Sequence, residues 1–343
     1  MRITSSLRSV RFGSVISRFA LVVALLFFVF AASAGLLVAA VSGSGAFPGR
    51  NGEIIFVSQR ARSDFQLYLM RPDGTRQRRI TRPRGFGQNP QQSPTWSPDG
   101  KWIAFASDRG QMPSGGERSE LYVMRPNGTG LRRLTHDRSV DVDPAWSPDG
   151  RRIVFVSNRP RMTGKFAIWT IKANGTGLQR LTAGHDADPA WSPDGTTIAF
   201  ARFPFAIWLM NADGTNQRKL TTPLQDPGSN DEEDIMPAWS PDGDWIAFAR
   251  RHEPYVGPTG STRYRLDVYV IRADGTAIRR LTRRARQNVE PAWSPDGKRI
   301  VFVSDRARES WEAIYVMNAD GTRQKRLTTV PRLHFSPDWQ PRR

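Results

Sequence analysis

The pentapeptide Trp-Ser-Pro-Asp-Gly occurs five times, starting at Trp96, Trp146, Trp191, Trp239 and Trp293, at intervals of 45 to 54 residues. Each copy precedes a short apolar run: Trp102-Ile103-Ala104-Phe105, Ile153-Val154-Phe155, Ile198-Ala199-Phe200, Trp245-Ile246-Ala247-Phe248 and Ile300-Val301-Phe302. A second element recurs six times, typified by Leu67-Tyr68-Leu69-Met70, Pro72-Asp73-Gly74-Thr75 and Arg78-Arg79-Ile80-Thr81, with equivalent glycines at Gly128, Gly175, Gly214, Gly275 and Gly321. Every repeat thus holds four short strands: one carrying Trp, an Ile-Ala-Phe strand, a Tyr-Val-Met strand and an Arg-Leu-Thr strand. Four-stranded units recurring at such a period are propeller blades.

The turns between these strands follow from their residues. Pro presets φ, Asp bonds to nearby backbone, and Gly supplies the positive φ that closes the turn. Asn127-Gly128-Thr129 and Asn174-Gly175-Thr176 match a glycosylation sequon, but Asn-Gly is also what a tight hairpin demands, and the turn reading is preferred. The repeated indoles, Trp96, Trp146, Trp191, Trp239, Trp293 and the C-terminal Trp339, are expected to pack as apolar plates between blades.

The two ends of the chain complement each other. The first blade, from Glu53-Ile54-Ile55-Phe56 to Thr81, lacks a preceding Trp strand, whereas Ser336-Pro337-Asp338-Trp339 near the C-terminus has nothing after it. The expected fold is all-β, a single six-bladed β-propeller with four antiparallel strands per blade, closed by the C-terminal strand completing blade one.

The series Pro-x-Trp-Ser-Pro-Asp-Gly, Ile-Ala-Phe, Tyr-Val-Met and Leu-Thr resembles the propeller repeat of the TolB-like family. The resemblance covers roughly residues 50 to 341 and does not include the α/β domain that precedes the propeller in TolB itself. It implies the fold strongly. Scaffolds, receptors and enzyme domains all occur on that fold, so function has to be argued from the site.

Lys and Arg outnumber Asp and Glu by 50 to 32, a formal net charge of +18. Residues 1–50 hold five Arg and no acid, so the remainder still carries 45 − 32 = +13. A basic balance favours anionic partners, although an Arg-rich codon usage gives the same composition. There is no cysteine, which excludes disulfides, thiolate metal sites and cysteine nucleophiles.

Arg2, Arg8, Arg11 and Arg18 precede an uncharged, largely apolar stretch from Phe19 to Val41, the pattern of an export signal. Residues 1–46 are read as a signal peptide or N-terminal membrane anchor, and residues 47–343 as the propeller. Ala32-Ser33-Ala34 and Ser44-Gly45-Ala46 both offer small residues for cleavage, while the apolar stretch is also long enough to span a bilayer. Either outcome places the propeller outside the cytoplasm: secreted, periplasmic or anchored facing outward.

Alternating strand directions put the Pro-Asp-Gly and Asp-Gly-Thr turns on one face and the variable loops on the other. Among these loops are residues 108–120, 223–235 and 251–266. Variable loops on a rigid scaffold are where binding residues concentrate. Aligned on the Pro before each Trp, the residue three earlier is Gln91, Asp141, Asp186, Asp234, Asn288 and His334. The residue one earlier is Ser93, Asp143, Asp188, Met236, Glu290 and Ser336. In a regular strand these two positions share a side, which predicts an acidic channel mouth formed by Gln91, Asp141, Asp143, Asp186, Asp188, Asp234, Asn288, Glu290 and His334. The bland alternative is that these groups only cap strand ends. Asp231 to Asp234 would extend such a mouth.

Paired cations before the Leu-Thr of most blades, as at Arg132-Arg133, Arg279-Arg280 and Lys325-Arg326, are expected to guard outer sheet edges rather than form an anion rim. The histidines His136, His185 and His334 fall in loops on one face and are candidate metal ligands. They support an alternative reading, a metal-dependent propeller lyase or hydrolase using loop His and Asp residues. A serine hydrolase is disfavoured, since no Gly-x-Ser-x-Gly is present.

The preferred reading is a non-enzymatic extracytoplasmic binding or scaffold propeller. Its expected partner is an envelope protein or peptide, or a small polar ligand, met at the loop face and channel mouth. No nucleic acid is expected, since interleaved base-stacking aromatics are not evident. Membrane contact is expected only through an uncleaved N-terminal segment, and the chain is expected to be monomeric. No cofactor is implied; a divalent cation in the channel mouth is the one inorganic ligand the acids suggest.

Overall fold

The computed structural model describes residues 46–61, 64–81, 91–108, 119–137, 139–159, 165–222, 233–256, 262–283, 285, 287–307, 312–330 and 332–342. Of the segment read as signal or anchor only Ala46 is among them, and residues 109–118, 223–232 and 257–261 of the three long loops lie outside them.

Six four-stranded antiparallel sheets form the blades. The inner strands are His334–Arg342 in blade one, Gln91–Trp96 in blade two, Asp141–Trp146 in blade three, Asp186–Trp191 in blade four, Asp234–Trp239 in blade five and Asn288–Trp293 in blade six. Each inner strand touches those of its two neighbours, blade six meeting blade one and blade one meeting blade two, so the ring is closed. As the unpaired ends of the sequence require, the C-terminal strand is the inner strand of blade one. It pairs with Arg50–Ala61 in the register Ile54 to Trp339 and Val57 to Phe335.

The core lies between blades. Trp146 packs with Ala104, Ala106 and Phe155, and Trp191 with Ala145, Val154 and Phe200, each bridging two blades. All six repeat tryptophans are at most 5% exposed. Their indole N–H groups make no protein hydrogen bond, so they serve as plates, as expected.

The turn motifs form closed local networks. In Ser97-Pro98-Asp99-Gly100 the Ser97 hydroxyl donates to Asp99 Oδ1 at 2.6 Å and accepts from the Trp102 N–H at 2.9 Å. Gly100 sits at φ +66°, where a Cβ would come within 2.4 Å of the Pro341 carbonyl oxygen. Asn127 and Asn174 each accept from the backbone N–H and hydroxyl of the Thr two residues on, the geometry of the turn reading.

The Leu-Thr motif gains a reason the sequence did not reveal. Thr81, Thr135, Thr182, Thr221, Thr282 and Thr328 are buried, and each Oγ1 accepts a backbone N–H of the third strand of its blade at 2.9–3.0 Å. These six threonines replace ladder bonds where the outer strand has ended after two residues. Thr328→Val leaves the buried Ile314 N–H without its acceptor and is expected to destabilise the domain by about 1–3 kcal/mol. A urea midpoint equal to that of the wild type would contradict this clamp.

The outer strands are two residues long and cationic, such as Arg132–Arg133 and Arg279–Arg280, which limits edge pairing with another chain. Several of these cations reach the adjacent blade, Arg132 donating to the Ala173 carbonyl at 2.7 Å and Arg218 to the Ala273 carbonyl at 3.3 Å.

Candidate functional site

Every inner strand is broken by a bulge at its third residue. In blade three Val142 pairs with Val156 and Ala145 with Val154, so the inner strand advances three residues while its partner advances two; blades two, four, five and six do the same at this position. The bulged residues Ser93, Asp143, Asp188, Met236, Glu290 and Ser336 all take positive φ, between +48° and +60°. An extra residue cancels the alternation of sides, so the two polar positions that a regular strand would place together are separated.

This departs from the expectation of one mouth formed by both sets. Asp141, Asp186, Asp234, Asn288 and His334 are at most 1% exposed and turn into their own blades. Asp186 receives Arg202 Nε and Nη2 at 2.6 and 3.1 Å, and Asp234 receives Arg250 at 2.6 and 2.7 Å. Asp141 receives the Ser157 hydroxyl at 2.7 Å and the Arg159 guanidinium. Asn288 accepts from Ser304 at 2.8 Å and Arg306 at 2.7 Å. Each of these arginines lies over the second-strand Phe and the third-strand aromatic of its blade; Arg202, for example, is 5.0 Å from Phe200 and 4.9 Å from Trp208. The charges are therefore paired, stacked and internal. Gln91 starts the inner strand of blade two opposite Ser107, and its side chain lies outside the described residues.

The bulged positions form the true axial ring: Ser336, Ser93, Asp143, Asp188, Met236 and Glu290 in blade order. Asp143 in blade three feels the charge of Asp188 in the next blade and of Glu290 in blade six, diametrically opposite, so these carboxylates face one another across the axis. Their bonds run from blade to blade. The Ser93 hydroxyl donates to Asp143 Oδ1 at 2.8 Å, the Met236 N–H to Asp188 Oδ2 at 3.1 Å, and the Ser336 N–H to Glu290 Oε2.

No Arg or Lys forms an ion pair with these three acids among the described residues. Burial, reinforced by the other two acids, pushes Asp143 well above the usual carboxylate range. Burial raises Asp188 to about 7, partly offset by the Met236 N–H. Glu290 rises to about 8, from burial and then Asp188, against the Ser336 N–H bond. A fourth buried acid, Asp338, is raised by burial to about 7. It accepts the Trp96 N–H at 2.9 Å and the Thr95 hydroxyl at 3.2 Å, joining blade one to blade two.

The turn-side end of the channel is covered. Ala46 belongs to the apolar cluster of blades five and six, and Phe47 to that of blades two and three on the far side of the axis. The pair thus lies across the axis, 6% and 7% exposed.

The histidines do not converge. His136 is exposed, His185 is half-buried beside Lys165, and burial lowers the His185 pKa. His334 is fully buried, edge-on to Phe56, with Nε2 3.1 Å from the Val330 carbonyl; burial takes its pKa to about 4. Among the described residues the only trio of metal-ligating side chains is Glu120, Asp137 and Asp141. Arg133 pairs with Glu120, and Arg159 with Asp137 and Asp141, so guanidinium groups already supply the positive charge there.

Fold and site together define a closed six-bladed propeller with an acidic axial ring. The family model described as the TolB beta propeller domain matches residues 112–255 and 235–343, and the chain belongs to that family. Among solved structures, TolB from Acinetobacter baumannii is 22% identical with a TM-score of 0.68, over 85% of this chain and 67% of that one. A putative TolB from Agrobacterium tumefaciens is also 22% identical, with a TM-score of 0.60, over 82% of this chain and 90% of its own. An oligogalacturonate lyase in complex with manganese is 17% identical, with a TM-score of 0.55, over 84% and 77%. These likenesses show the fold. No curated protein matches the chain.

Proposed function

We propose that this chain is an extracytoplasmic binding protein, not an enzyme, whose loop-side channel receives a cationic group of an envelope protein or peptide. The observation that carries this reading is the contrast between two sets of buried acids. Asp141, Asp186 and Asp234 each have a stacked arginine in their own blade, whereas Asp143, Asp188 and Glu290 share the axis with no such partner among the described residues.

A buried carboxylate without a counter-ion takes up a proton or attracts a cation. A Lys or Arg side chain entering along the axis supplies both charge and hydrogen-bond donors. A divalent ion or a small ammonium ligand offers the same charge with fewer directed hydrogen-bond donors, and titrating each separately distinguishes these ligands. The lyase reading would draw on a histidine cluster, and among the described residues no histidine joins a three-ligand group.

Location is tested separately. The four arginines ahead of Phe19–Val41 lead us to expect the full chain, tagged at its C-terminus, to be digested by protease added to spheroplasts. Protection of the propeller in intact spheroplasts would place it in the cytoplasm and overturn the proposed compartment. N-terminal sequencing of the exported form distinguishes cleavage from anchoring.

A further inference from the structure

The turn side of the propeller, opposite the proposed mouth, has a chemistry of its own. The chain enters the domain there: the Ala46 N–H donates to the Trp239 carbonyl at 3.3 Å and the Gly49 N–H to the Pro295 carbonyl at 3.2 Å, both acceptors at the turn ends of inner strands. In the sequence four residues separate the apolar stretch Phe19–Val41 from Ala46, the point at which the chain meets this face.

The same face opens into two adjoining hollows of about 460 and 540 Å³ that share Arg78, the first within blade one and the second between blades one and two. Arg71, Arg76, Arg78 and Arg342 line the first, and Lys101 and Arg125 the second; Glu53 is the single acid in either lining. Arg125 stacks on Trp102 at 5.4 Å, and Glu53 pairs with Arg78 at 2.9 Å. The adjacent turn acids are held close to the backbone. Asp73 Oδ1 accepts the Thr75 N–H and hydroxyl at 2.9 and 2.7 Å, and Asp99 Oδ1 accepts the Lys101 N–H at 3.0 Å. The longer Arg and Lys side chains reach past them. On the same side, just after three of the tight turns, Leu131, Leu178 and Ile278 are 38%, 44% and 47% exposed.

We propose that the turn face is the membrane-facing surface of the propeller, with the groove across blades one and two seated on anionic lipid headgroups. Three independent features converge on a bilayer rather than a soluble anion: the entry point of an apolar segment, a basic groove, and exposed aliphatic side chains on the same side of blades two, three and five. Guanidinium groups bind headgroup phosphates in pairs of hydrogen bonds, and Leu131, Leu178 and Ile278 add apolar contact at the interface. The loop-side mouth then points away from the bilayer.

The absence of cysteine makes the test clean, because one introduced thiol is a unique label. Leu131→Cys on the turn side and Val330→Cys on the loop side replace side chains that are 38% and 39% exposed. Each full-length variant is labelled with an environment-sensitive dye and reconstituted in phosphatidylcholine vesicles with or without phosphatidylglycerol, carrying a headgroup-attached quencher.

The label at position 131 should be quenched severalfold more strongly when phosphatidylglycerol is present, and the label at position 330 should be unaffected. Molar salt, or the combined change Arg71→Gln, Arg76→Gln and Arg342→Gln, should return the signal at 131 to its zwitterionic level; all three side chains are exposed, so the fold is retained. Quenching at 131 that ignores lipid charge and the arginine changes overturns the proposal, as does equal quenching at both positions. Binding of soluble polyphosphate without any lipid-charge effect overturns it in favour of a soluble anion.

Discussion

Deletion of Leu333 to Arg343 is expected to cost the domain several kcal/mol, enough to lower the melting temperature by many degrees or to abolish soluble expression. The strand removed is the inner strand of blade one. It buries Phe335 against Phe65 at 5.2 Å between ring centroids and places Trp339, 3% exposed, opposite Ile54. Each such side chain contributes about 1.5–3 kcal/mol when fully buried. The deletion also removes Asp338, whose carboxylate holds the Trp96 N–H of blade two, and exposes the paired edge of Arg50–Ala61. Blades one, two and six lose their shared inner contacts at once. Differential scanning calorimetry of the truncated and full chains checks this; coincident melting curves would show that the ring does not depend on its C-terminal strand.

The second large effect is on pH. In the folded chain Asp188 and Glu290 titrate near 7 and 8, and Asp143 is displaced in the same direction, whereas in the unfolded chain such carboxyls titrate near 4. Acids with a raised folded-state pKa add stability that is fully present below the unfolded value and is lost as pH rises through the folded one. The ring therefore weakens the unliganded protein progressively between about pH 4 and pH 8.

Asp143→Asn, Asp188→Asn and Glu290→Gln combined remove that dependence while keeping shape and hydrogen bonding, and Asn tolerates the positive φ of these sites. Each unit of displacement corresponds to about 1.4 kcal/mol, so the variant should exceed the wild type by several kcal/mol at pH 8 and by almost nothing at pH 4. Taking the difference between the two proteins cancels His334, whose depressed pKa acts at the acid end with opposite sign, and Glu120 and Asp338, which keep their own shifts. Urea denaturation at several pH values measures it. A difference that stays constant with pH would mean the three acids do not ionise together at the axis.

Much of this architecture is legible in the sequence because it repeats. Blade number, strand order, turn chemistry and the closing role of Trp339 all follow from motifs that occur five or six times, each with a local physical reason. The ring was only half legible. Period-two alternation pairs Asp141 with Asp143 and Asp186 with Asp188, and the bulge separates them. The signal was present in the proline after each bulged residue, Pro94, Pro144, Pro189, Pro237, Pro291 and Pro337, since proline inside a strand is confined to edges and bulges. The arginine partners were harder to see: Arg202 and Arg250 lie directly opposite Asp186 and Asp234 in the strand register, but Arg159 and Arg306 lie two residues beyond Ser157 and Ser304, the residues opposite Asp141 and Asn288. Phe47 belongs to no repeat, and nothing in its neighbourhood marks it as a plug across the axis.

Whether the axial acids bind a ligand is decided by a thermal-shift titration of the wild type and of the Asp143→Asn, Asp188→Asn, Glu290→Gln variant. Both are titrated with an Arg- and Lys-rich peptide and, separately, with calcium and manganese, at pH 5 and pH 8. A ligand that binds only the folded state at about a hundredfold over its Kd adds about 2.7 kcal/mol, a shift of several degrees. The basic peptide is expected to raise the wild-type melting temperature, more at pH 8 where more of the ring is ionised than at pH 5, and to leave the variant unmoved. A larger response to the divalent ions than to the peptide would transfer the site from a protein partner to a metal. A wild-type curve unmoved by any of them, or a variant that responds as strongly as the wild type, would contradict a binding role for the axial acids.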